Sequence, residues 1–349
     1  GFPECLKRSG SFPNGFLLYL YTQFPEMSGS EYNLMMYGVA AVAAYVFSSA
    51  VLFRHPYLLH KKKKSPIYPH ISHRGGAGEY LENTMSAFDN AVSVNTDMLE
   101  IDVQLTKDGE VVICHDQCLL NLTGENCNVL DVEYKDLPKL KSSLGVHFDP
   151  DKICSGSDRS LVRLEDLLVK YPSVPLNIDI KTDNDELISK TSQLIKNYKR
   201  ESITVWGNHS SKICSKCYKE NPRIRLLVSA ERAALVTLLF YTGLLPFVPL
   251  KESYLETFLP SSARRARRNF SENSRMLDFV IWFAEYLMLK PSLIRHLKLR
   301  GIPTYIWVCN NEEEFTEAFR LGASGVMTDY PTLLRNYLTE HPEFNSKDT

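Results

Sequence analysis

The stretch MLEIDVQLTKDGEVVICHD, Met98–Asp116, alternates apolar and polar residues from Leu99 to Leu105 and ends in a second short β-rich run. Both features predict strands. Short β-rich runs of this kind recur along the chain, separated by stretches with apolar residues at helical spacing, such as NTMSAFDNAVSVN and ELISKTSQLIKNY. Strand and helix alternating to about eight strands predict an α/β fold of the TIM (β/α)8 barrel type.

The predicted barrel occupies residues 70–340 of a chain of 349 residues. Two stretches break the alternation, residues 120–160 and residues 233–275, and we interpret them as insertions. Residues 341–349 form a short tail. The net charge is -1, which provides no general attraction for nucleic acid, so no nucleic-acid partner is expected.

Residues 34–53, LMMYGVAAVAAYVFSSAVLF, contain no charged side chain over twenty positions, which is the length needed to cross a bilayer. We predict a membrane anchor. A cleaved signal peptide is the alternative, but its apolar region would be shorter, and a basic linker, residues 54–69, follows where small cleavage-site residues should stand. Residues 1–33 are predicted to be irregular, and Met27 is the expected start of the natural protein.

Basic residues cluster directly after the anchor, at Arg54 and Lys61–Lys64, whereas the preceding flank carries Glu26 and Glu31. The positive-inside rule therefore predicts a single-pass protein whose barrel faces the cytosol. Glycosylation occurs only on lumenal chain, so sequons in the barrel region would report the opposite orientation. Three such sequons are present, at Asn121, Asn208 and Asn269.

Three acidic residues lie within predicted strands. Glu100 and Asp102 are two positions apart, so their side chains point to the same face, and Asp179 lies in a similar strand, NIDIK. If these strands belong to one barrel, the three carboxylates converge at its carboxyl-terminal mouth, where hard oxygen ligands suit Mg2+ or Ca2+. The alternative for any single acid is a structural role, such as pairing with a lysine.

Two histidines, His73 and His115, end two other predicted strands. At the carboxyl-terminal face of a barrel they can serve as general base and general acid near neutral pH, although His115 could instead bind a metal. Arg74 follows the first histidine and can hold a phosphate oxygen. The glycines after it do not form a dinucleotide loop, because the third glycine of that motif would fall at Leu81.

The segment AALVTLLFYTGLLPFVPL, residues 233–250, is uncharged, but Gly243, Pro246 and Pro249 would break a spanning helix. We predict an apolar hairpin insertion that is either an interfacial element or a lid over the mouth, with burial in the core as the alternative. Four arginines follow soon after and could contact anionic headgroups or form a solvated loop: Arg264, Arg265, Arg267 and Arg268.

Five motifs, HRGGAGEYLENT, LEIDVQLTKDGEVVICHD, NIDIK, IWV and GVMTDYP, resemble the glycerophosphodiester phosphodiesterase family in order and spacing, from about His70 to Leu338. The resemblance implies a TIM-barrel phosphodiesterase in which His73 and His115 are the acid/base pair. It also implies that Glu100 and Asp102 bind the divalent cation, Mg2+ or Ca2+.

By the same resemblance, Arg74 would bind the substrate phosphate and Glu82 would fall in the same site. Lys181 would stand near the phosphate, and Trp307 of the IWV motif would line the site. The family commonly has glutamate as its third metal ligand, whereas this chain has the shorter Asp179.

The anchor, the basic segment after it and TGLLPFVP at residues 242–249 resemble the membrane-bound lysophospholipase D branch of the family. That branch implies conversion of lysophosphatidylcholine, lysophosphatidylethanolamine or its N-acyl forms to lysophosphatidic acid and an amine alcohol. It also implies an endoplasmic reticulum or perinuclear membrane. A soluble-glycerophosphodiester or sphingomyelin-type phosphodiesterase, or an inactive membrane-anchored lipid-binding protein, remains an alternative, and the sequence names no protein partner.

Overall fold

The computed structural model describes residues 28–267 and 275–346, and the chain divides into two compact units between Val51 and Leu52. The first unit contains most of an apolar helix, Gly29–Arg54, of 26 residues. By length and composition this helix could cross a membrane.

The apolar helix begins at Gly29, before the predicted start of the anchor at residue 34, because Ser28 and Glu31 form a capping box. The Ser28 amide donates to Glu31 Oε2 at 2.8 Å, and the Glu31 amide donates to Ser28 Oγ at 3.4 Å. Residues 29–33, predicted to be irregular, are therefore helical. The remainder of that predicted segment, residues 1–27 with Met27, lies outside the described residues.

The second unit is a TIM-like barrel, as predicted. Its eight parallel strands are β1 (His70–Ser72), β2 (Met98–Leu105), β3 (Leu176–Ile180), β4 (Thr204–Gly207), β5 (Arg225–Leu226), β6 (Leu255–Thr257), β7 (Thr304–Ile306) and β8 (Gly325–Thr328). Strands β6, β7, β8, β1, β2, β3, β4 and β5 pair in that order. A parallel bridge between Leu227 and Tyr254 joins β5 to β6 and closes the ring.

Helices surround the strands, and several begin at strong caps. The helix after β7, for example, starts where Asn311 Oδ1 accepts from the Glu314 amide, with three glutamates in its first turn. The helices of the second unit are Met85–Ser93, Leu120–Thr123, Leu164–Lys170, Asp185–Asn197, Ser211–Glu220, Ala230–Tyr241, Pro260–Arg267, Arg275–Met288, Pro291–Leu299, Glu312–Arg320 and Pro331–Glu340.

Two strands of the structure differ from the prediction. The run VVICHD forms a strand, Val111–Ile113, but it pairs antiparallel with β2 and does not belong to the ring of eight. Strand β6 supplies the eighth position instead and lies within the segment predicted as an insertion. The sequence did not predict this strand, because three residues are too few to show a period. The other insertion contains a hairpin of Ser143–Val146 and Asp149–Ser155.

The linker before β1 closes the amino-terminal end of the barrel. The Tyr254 hydroxyl donates to the Pro66 carbonyl at 2.9 Å, and the Lys63 amide donates to the Arg300 carbonyl at 2.9 Å. This end is opposite the mouth at which the predicted site residues lie.

The apolar segment at residues 233–250 reaches this amino-terminal end. It comprises most of helix Ala230–Tyr241 and a single turn, Leu245–Phe247. The Arg300 guanidinium donates to the Leu245 carbonyl at 3.2 Å and the Val248 carbonyl at 2.9 Å. The prediction of a mouth-covering lid is therefore wrong, because the turn leads into the amino end of β6.

Candidate active site

Strands β2 and β3 position the three predicted carboxylates. Alternate residues of β2, including Leu99 and Ile101, pack in the main apolar core with the surrounding helices, so Glu100 and Asp102 point into the barrel. Both acids are buried. In the strand register Asp102 pairs with Asp179, which sets these two side chains on neighbouring strands at the same level.

Arg74 lies among these acids in a left-handed backbone conformation, with φ of 50°. Its backbone amide donates to Glu100 Oε2 at 2.9 Å, and Nη1 donates to Glu82 Oε1 at 3.1 Å. Nε is 3.3 Å from Asp102 Oδ2. The arginine therefore connects three of the predicted site residues.

Gly76 shows why the segment after Arg74 contains small residues. Gly76 has φ of 105°, and a Cβ there would lie 2.7 Å from the Pro331 ring, which begins the last helix. Any larger residue would separate the first loop of the barrel from its last helix.

Lys181 and Asn208 hold the third acid. Lys181 Nζ is 3.0 Å from Asp179 Oδ2 and 3.4 Å from Asp102 Oδ1. Asn208 Nδ2 donates to Asp179 Oδ1 at 2.8 Å. The structural alternative for Asp179, a pairing with a lysine, is thus present in the structure. The same lysine also reaches Asp102, a second predicted metal ligand.

The carboxyl groups of Glu100 and Asp102 differ in their electrostatic environment. Burial, with the neighbouring charge of Asp102, raises the pKa of Glu100 well above its ordinary value. Burial would also raise the pKa of Asp102, but the positive charges of Arg74 and Lys181 outweigh this effect, and the pKa of the Asp102 carboxyl is lowered. The surroundings of these two buried acids therefore contain too little positive charge for both carboxyl groups to be ionised.

This donor set fits a divalent cation by its chemistry. Mg2+ and Ca2+ prefer carboxylate oxygens, and an added double positive charge would allow both buried carboxyls to ionise. In the described part of the chain, no three acidic, histidine or cysteine side chains already form a ligand set. The ammonium group of Lys181 instead lies near both Asp102 and Asp179.

His73 is oriented by a carboxylate that the sequence did not single out. Its Nδ1 is 2.6 Å from Asp329 Oδ1, and Asn310 Nδ2 donates to Asp329 Oδ2 at 2.8 Å. Because an ionised carboxylate can only accept, Nδ1 carries the proton. Nε2, 4.0 Å from Glu100 Oε2, then faces the acidic cluster.

His115 has the same kind of partner. Its Nδ1 is 2.7 Å from Asp116 Oδ1, and this hydrogen bond lowers the pKa of the Asp116 carboxyl. Its side chain is 28% exposed, against 8% for His73. Each predicted catalytic histidine therefore has its own orienting aspartate, and the second is the more open to solvent.

An aromatic wall, which we define as Phe148, Phe258 and Trp307, lies beside His73. Phe148, at the tip of the hairpin, is 5.5 Å from His73 between ring centroids and 5.8 Å from Trp307. Phe258 is 5.5 Å from Trp307. The predicted lining residue Trp307 is thus near the site, with two rings that the sequence did not indicate.

Arg265 supports this wall and does not form part of a solvated loop. Its side chain is largely buried, its Nε donates to the Phe148 carbonyl at 2.6 Å, and its guanidinium pairs with Glu314. The predicted headgroup contact is therefore wrong for Arg265. The side chain of Arg267 and all of Arg268 lie outside the described residues.

Sequence reasoning also missed a carboxyl deeper in the barrel. Asn177 Nδ2 donates to Glu256 Oε1 at 2.6 Å, and burial raises the pKa of Glu256 to about 7. Glu256 could not be found because its strand, β6, was not recognised. Asp329 and Asp116 did have a signal, since they belong to the quoted motifs GVMTDYP and VVICHD.

The glycerophosphoryl diester phosphodiesterase family model matches residues 73–333. Lysophospholipase D GDPD1 from Homo sapiens is 46% identical over 303 residues, which cover 86% of this chain and 96% of the relative. Lysophospholipase D GDPD3 from Homo sapiens is 40% identical over 309 residues, covering 88% and 97%.

Solved structures agree on the fold. A glycerophosphodiester phosphodiesterase from Agrobacterium tumefaciens has a TM-score of 0.54 at 18% identity, covering 77% of this chain and 100% of its own. A phosphodiesterase from Oleispira antarctica, solved in complex with the product sn-glycerol-3-phosphate, has a TM-score of 0.55 at 16% identity, covering 78% and 97%.

Proposed function

Because the chain belongs to the glycerophosphoryl diester phosphodiesterase family, it is a phosphodiesterase, and we propose that it acts as a lysophospholipase D. The proposed substrates are lysophosphatidylcholine, lysophosphatidylethanolamine and the N-acyl forms of the latter. The products are lysophosphatidic acid and the free amine alcohol. The proposal rests on one observation above all: two histidines, each held by its own aspartate, flank a buried cluster of acids and Arg74.

Arg74 and Lys181 are the proposed phosphate-binding groups. The Arg74 Nη1 atom is held by Glu82, and Nε is buried without a hydrogen bond. Within residues 28–267 and 275–346, Nη2 makes no hydrogen bond to the protein, so it is available to a phosphoryl oxygen. A guanidinium fixed on one edge and open on the other suits a phosphodiester that must be held in one orientation.

Proton transfer is assigned to His73 and His115. One imidazole Nε2 removes the proton from the attacking hydroxyl as its oxygen bonds to phosphorus. The other imidazole donates its proton to the oxygen of the amine alcohol as the bond from phosphorus to that oxygen breaks. Asp329 and Asp116 keep each Nδ1 protonated and stabilise the charged imidazole. The attacker is either water or the lipid's own sn-2 hydroxyl, which would give a cyclic phosphate first.

Glu100, Asp102 and Asp179 are the proposed ligands of a divalent cation, Mg2+ or Ca2+. His115 remains a possible fourth ligand in place of its proton-transfer role. When bound, such an ion supplies positive charge to the phosphoryl oxygens. Lys181, now between two of these acids, would then turn toward the phosphate.

A lipid substrate is supported by the aromatic wall and by the relatives. Phe148 presents apolar surface immediately beside His73, and Trp307 packs against Phe148. Curated relatives at 40% and 46% identity carry the name lysophospholipase D. The helix Gly29–Arg54 is the proposed single-pass anchor, with the barrel in the cytosol at the endoplasmic reticulum or perinuclear membrane.

The full chain in detergent micelles with lysophosphatidylcholine tests the proposal. We expect release of choline and lysophosphatidic acid in equal amounts, loss of activity in EDTA and recovery on adding Mg2+ or Ca2+. Glycerophosphocholine, which lacks the acyl chain, should react poorly, and Phe148→Ala should raise KM for the lysolipid only. Ile153→Ala, at an exposed position of the same hairpin, is the matched control.

Two results would contradict the assignment to lysolipids. Equal turnover of glycerophosphocholine and lysophosphatidylcholine would indicate a phosphodiesterase for soluble substrates. Binding of lysolipid without turnover under every metal condition would indicate an inactive lipid-binding protein.

A further inference from the structure

The helix Arg275–Met288, which we call the aromatic helix, carries an exposed apolar stripe. Residues at positions i, i+3, i+7 and i+10 lie on one face of a helix, and from Met276 onward they are all large and apolar. Trp282, at i+6, lies at the edge of the same face. Their exposed fractions range from 46% for Trp282 to 78% for Met276. The stripe consists of Met276, Phe279, Trp282, Phe283 and Tyr286.

The rings of the stripe pack on one another along the surface. Phe279 and Phe283 stack with centroids 6.1 Å apart, and Trp282 and Tyr286 stack at 5.7 Å. The Lys290 ammonium lies 3.3 Å from the centroid of the Tyr286 ring, just after the helix ends. A continuous apolar surface of this kind is uncommon on proteins that meet only water.

The aromatic helix lies next to the place where the chain leaves the proposed anchor. Phe53, the last residue of the predicted span, packs on Phe240 with centroids 5.5 Å apart. The neighbouring Tyr241 hydroxyl donates to the Leu287 carbonyl of the aromatic helix at 3.2 Å. Two contacts therefore connect the exit point of the anchor to the end of the stripe.

Other exposed apolar residues adjoin the same exit point. They lie in the turn directly after the anchor and on the outer face of helix Ala230–Tyr241 and the turn that follows it. They are Tyr57, Leu58, Leu59, Leu235, Leu238, Tyr241 and Leu244.

We propose that the aromatic helix binds the surface of the same bilayer that holds the anchor, with its stripe inserted at the level of the lipid headgroups. This inference rests on the membrane anchoring proposed above. The composition favours lipid over a protein partner, because Trp and Tyr concentrate at membrane interfaces and a lysine at the helix end can reach the phosphates. A second attachment would also prevent the barrel from rotating about a single anchor. The orientation of the barrel mouth relative to the membrane would then be fixed.

Tryptophan quenching in the full chain tests this proposal. The protein is reconstituted into vesicles of plain or brominated phosphatidylcholine, and the emission of Trp282 is obtained as the difference between the wild type and Trp282→Phe. Trp206 is fully buried and cancels in this difference, as does Trp307. We expect the Trp282 emission to be blue-shifted and to lose most of its intensity in brominated lipid.

A matched control uses Val169→Trp in the Trp282→Phe background. Val169 is 60% exposed on the helix Leu164–Lys170, at a different part of the barrel surface. Its introduced indole should keep its intensity in brominated lipid. Equal quenching at both positions would overturn the proposal, because the whole barrel surface would then contact lipid.

Flotation of the vesicles separates failure of the inference from failure of the anchor. Protein that floats with the vesicles while Trp282 is unquenched overturns the inference and leaves the anchor intact. If, in addition, Trp282 is blue-shifted and the copies cross-link through this helix, the stripe is the contact with a second copy. Protein that does not float at all overturns the anchor and the inference together.

Discussion

Asp329 Oδ1 lies 2.6 Å from Nδ1 of His73, although the two residues are 256 positions apart in the chain. The residue directly after the last barrel strand therefore supplies the group that orients the first of the two proposed catalytic histidines. Asp329 is itself buried; burial opposes its ionisation, but the nearby His73 outweighs this effect and lowers the pKa of the carboxyl. It remains a carboxylate at neutral pH and is an acceptor for the imidazole.

Asp329→Asn should lower kcat on the order of 100-fold, because an amide can no longer fix the proton on Nδ1 of His73. KM should change little, since Asp329 does not face the substrate. Steady-state kinetics on lysophosphatidylcholine measure both constants. Asp89→Asn, at an exposed position paired with Lys170, is the control and should be unaffected. A variant with near-normal kcat would mean that Asp329 only stabilises the fold.

Glu100→Ala should weaken metal activation and reduce the rate on the order of 100-fold even at saturating cation, because few neutral groups replace a charged oxygen ligand. A titration of activity against Mg2+ and Ca2+ separates lost affinity from lost rate. Glu186→Ala removes an exposed glutamate that pairs with Lys190 and contacts none of the proposed ligands in the described residues, and it should leave the titration curve unchanged. Normal turnover of Glu100→Ala in excess cation would remove Glu100 from the ligand set.

His73→Ala and His115→Ala should each lose activity by about 100-fold or more on lysophosphatidylcholine. An analogue with a nitrophenol leaving group needs no protonation, so it should restore the rate of only the variant that lacks the general acid. Comparing the two substrates across both variants assigns the roles. If neither variant is impaired on the natural substrate, the histidines are structural.

His296→Gln should make stability less sensitive to acid. Burial lowers the pKa of His296 to about 4 from an ordinary value of 6.5, and its Nδ1 donates to the Phe53 carbonyl at 3.1 Å. Between these two values the unfolded chain takes up a proton that the folded protein does not. The free energy of unfolding therefore falls as the pH drops from 6.5 to 4, by at most about 3 kcal/mol for this residue.

Thermal melts of the detergent-solubilised chain at pH 7 and pH 5 measure this effect. The wild type should lose more stability at pH 5 than His296→Gln. His341→Gln replaces a partly exposed histidine near the carboxyl terminus and should behave like the wild type. An identical pH response in all three proteins would show that His296 does not contribute to acid sensitivity.

Asn121 should carry no glycan when the protein is expressed in cells, because the barrel is proposed to face the cytosol. Of the three sequons, Asn121 is exposed, Asn208 is buried and bonded to Asp179, and Asn269 lies outside the described residues. Endoglycosidase treatment should cause no mass shift. A sequon added before the anchor should be glycosylated and serves as the positive control, whereas a glycan on Asn121 would reverse the orientation.

The parts of the site that the sequence predicted are those whose signal is local. The alternation in β2 directs Glu100 and Asp102 inward, and the histidines stand at strand ends, so a single segment contains the information in each case. Asp329 and Phe148 become site residues only when distant segments meet, which no short pattern encodes. Strand β6 was missed for a related reason, since three residues depend on their neighbours for strand pairing.

The placement of the apolar segment could not be obtained from composition either. Its apolar residues fit a core, a lid or a membrane surface equally well, and the choice depends on which end of the barrel the segment reaches. The hydrogen bonds from Arg300 to Leu245 and Val248 determine that end. Arg300 lies about fifty positions farther along the chain, so a local reading could not include it.

The position of β1 between β2 and β8 has a consequence for biosynthesis. Synthesis proceeds from the amino terminus, so the proposed anchor leaves the ribosome long before β8 does. Until β8 is added, β1 has one free edge and His73 has no aspartate. If the proposed anchoring and activity hold, a growing chain is attached to its membrane before it is able to cleave the lipids around it. A polypeptide that stops short of Asp329 is then expected to stay inactive there.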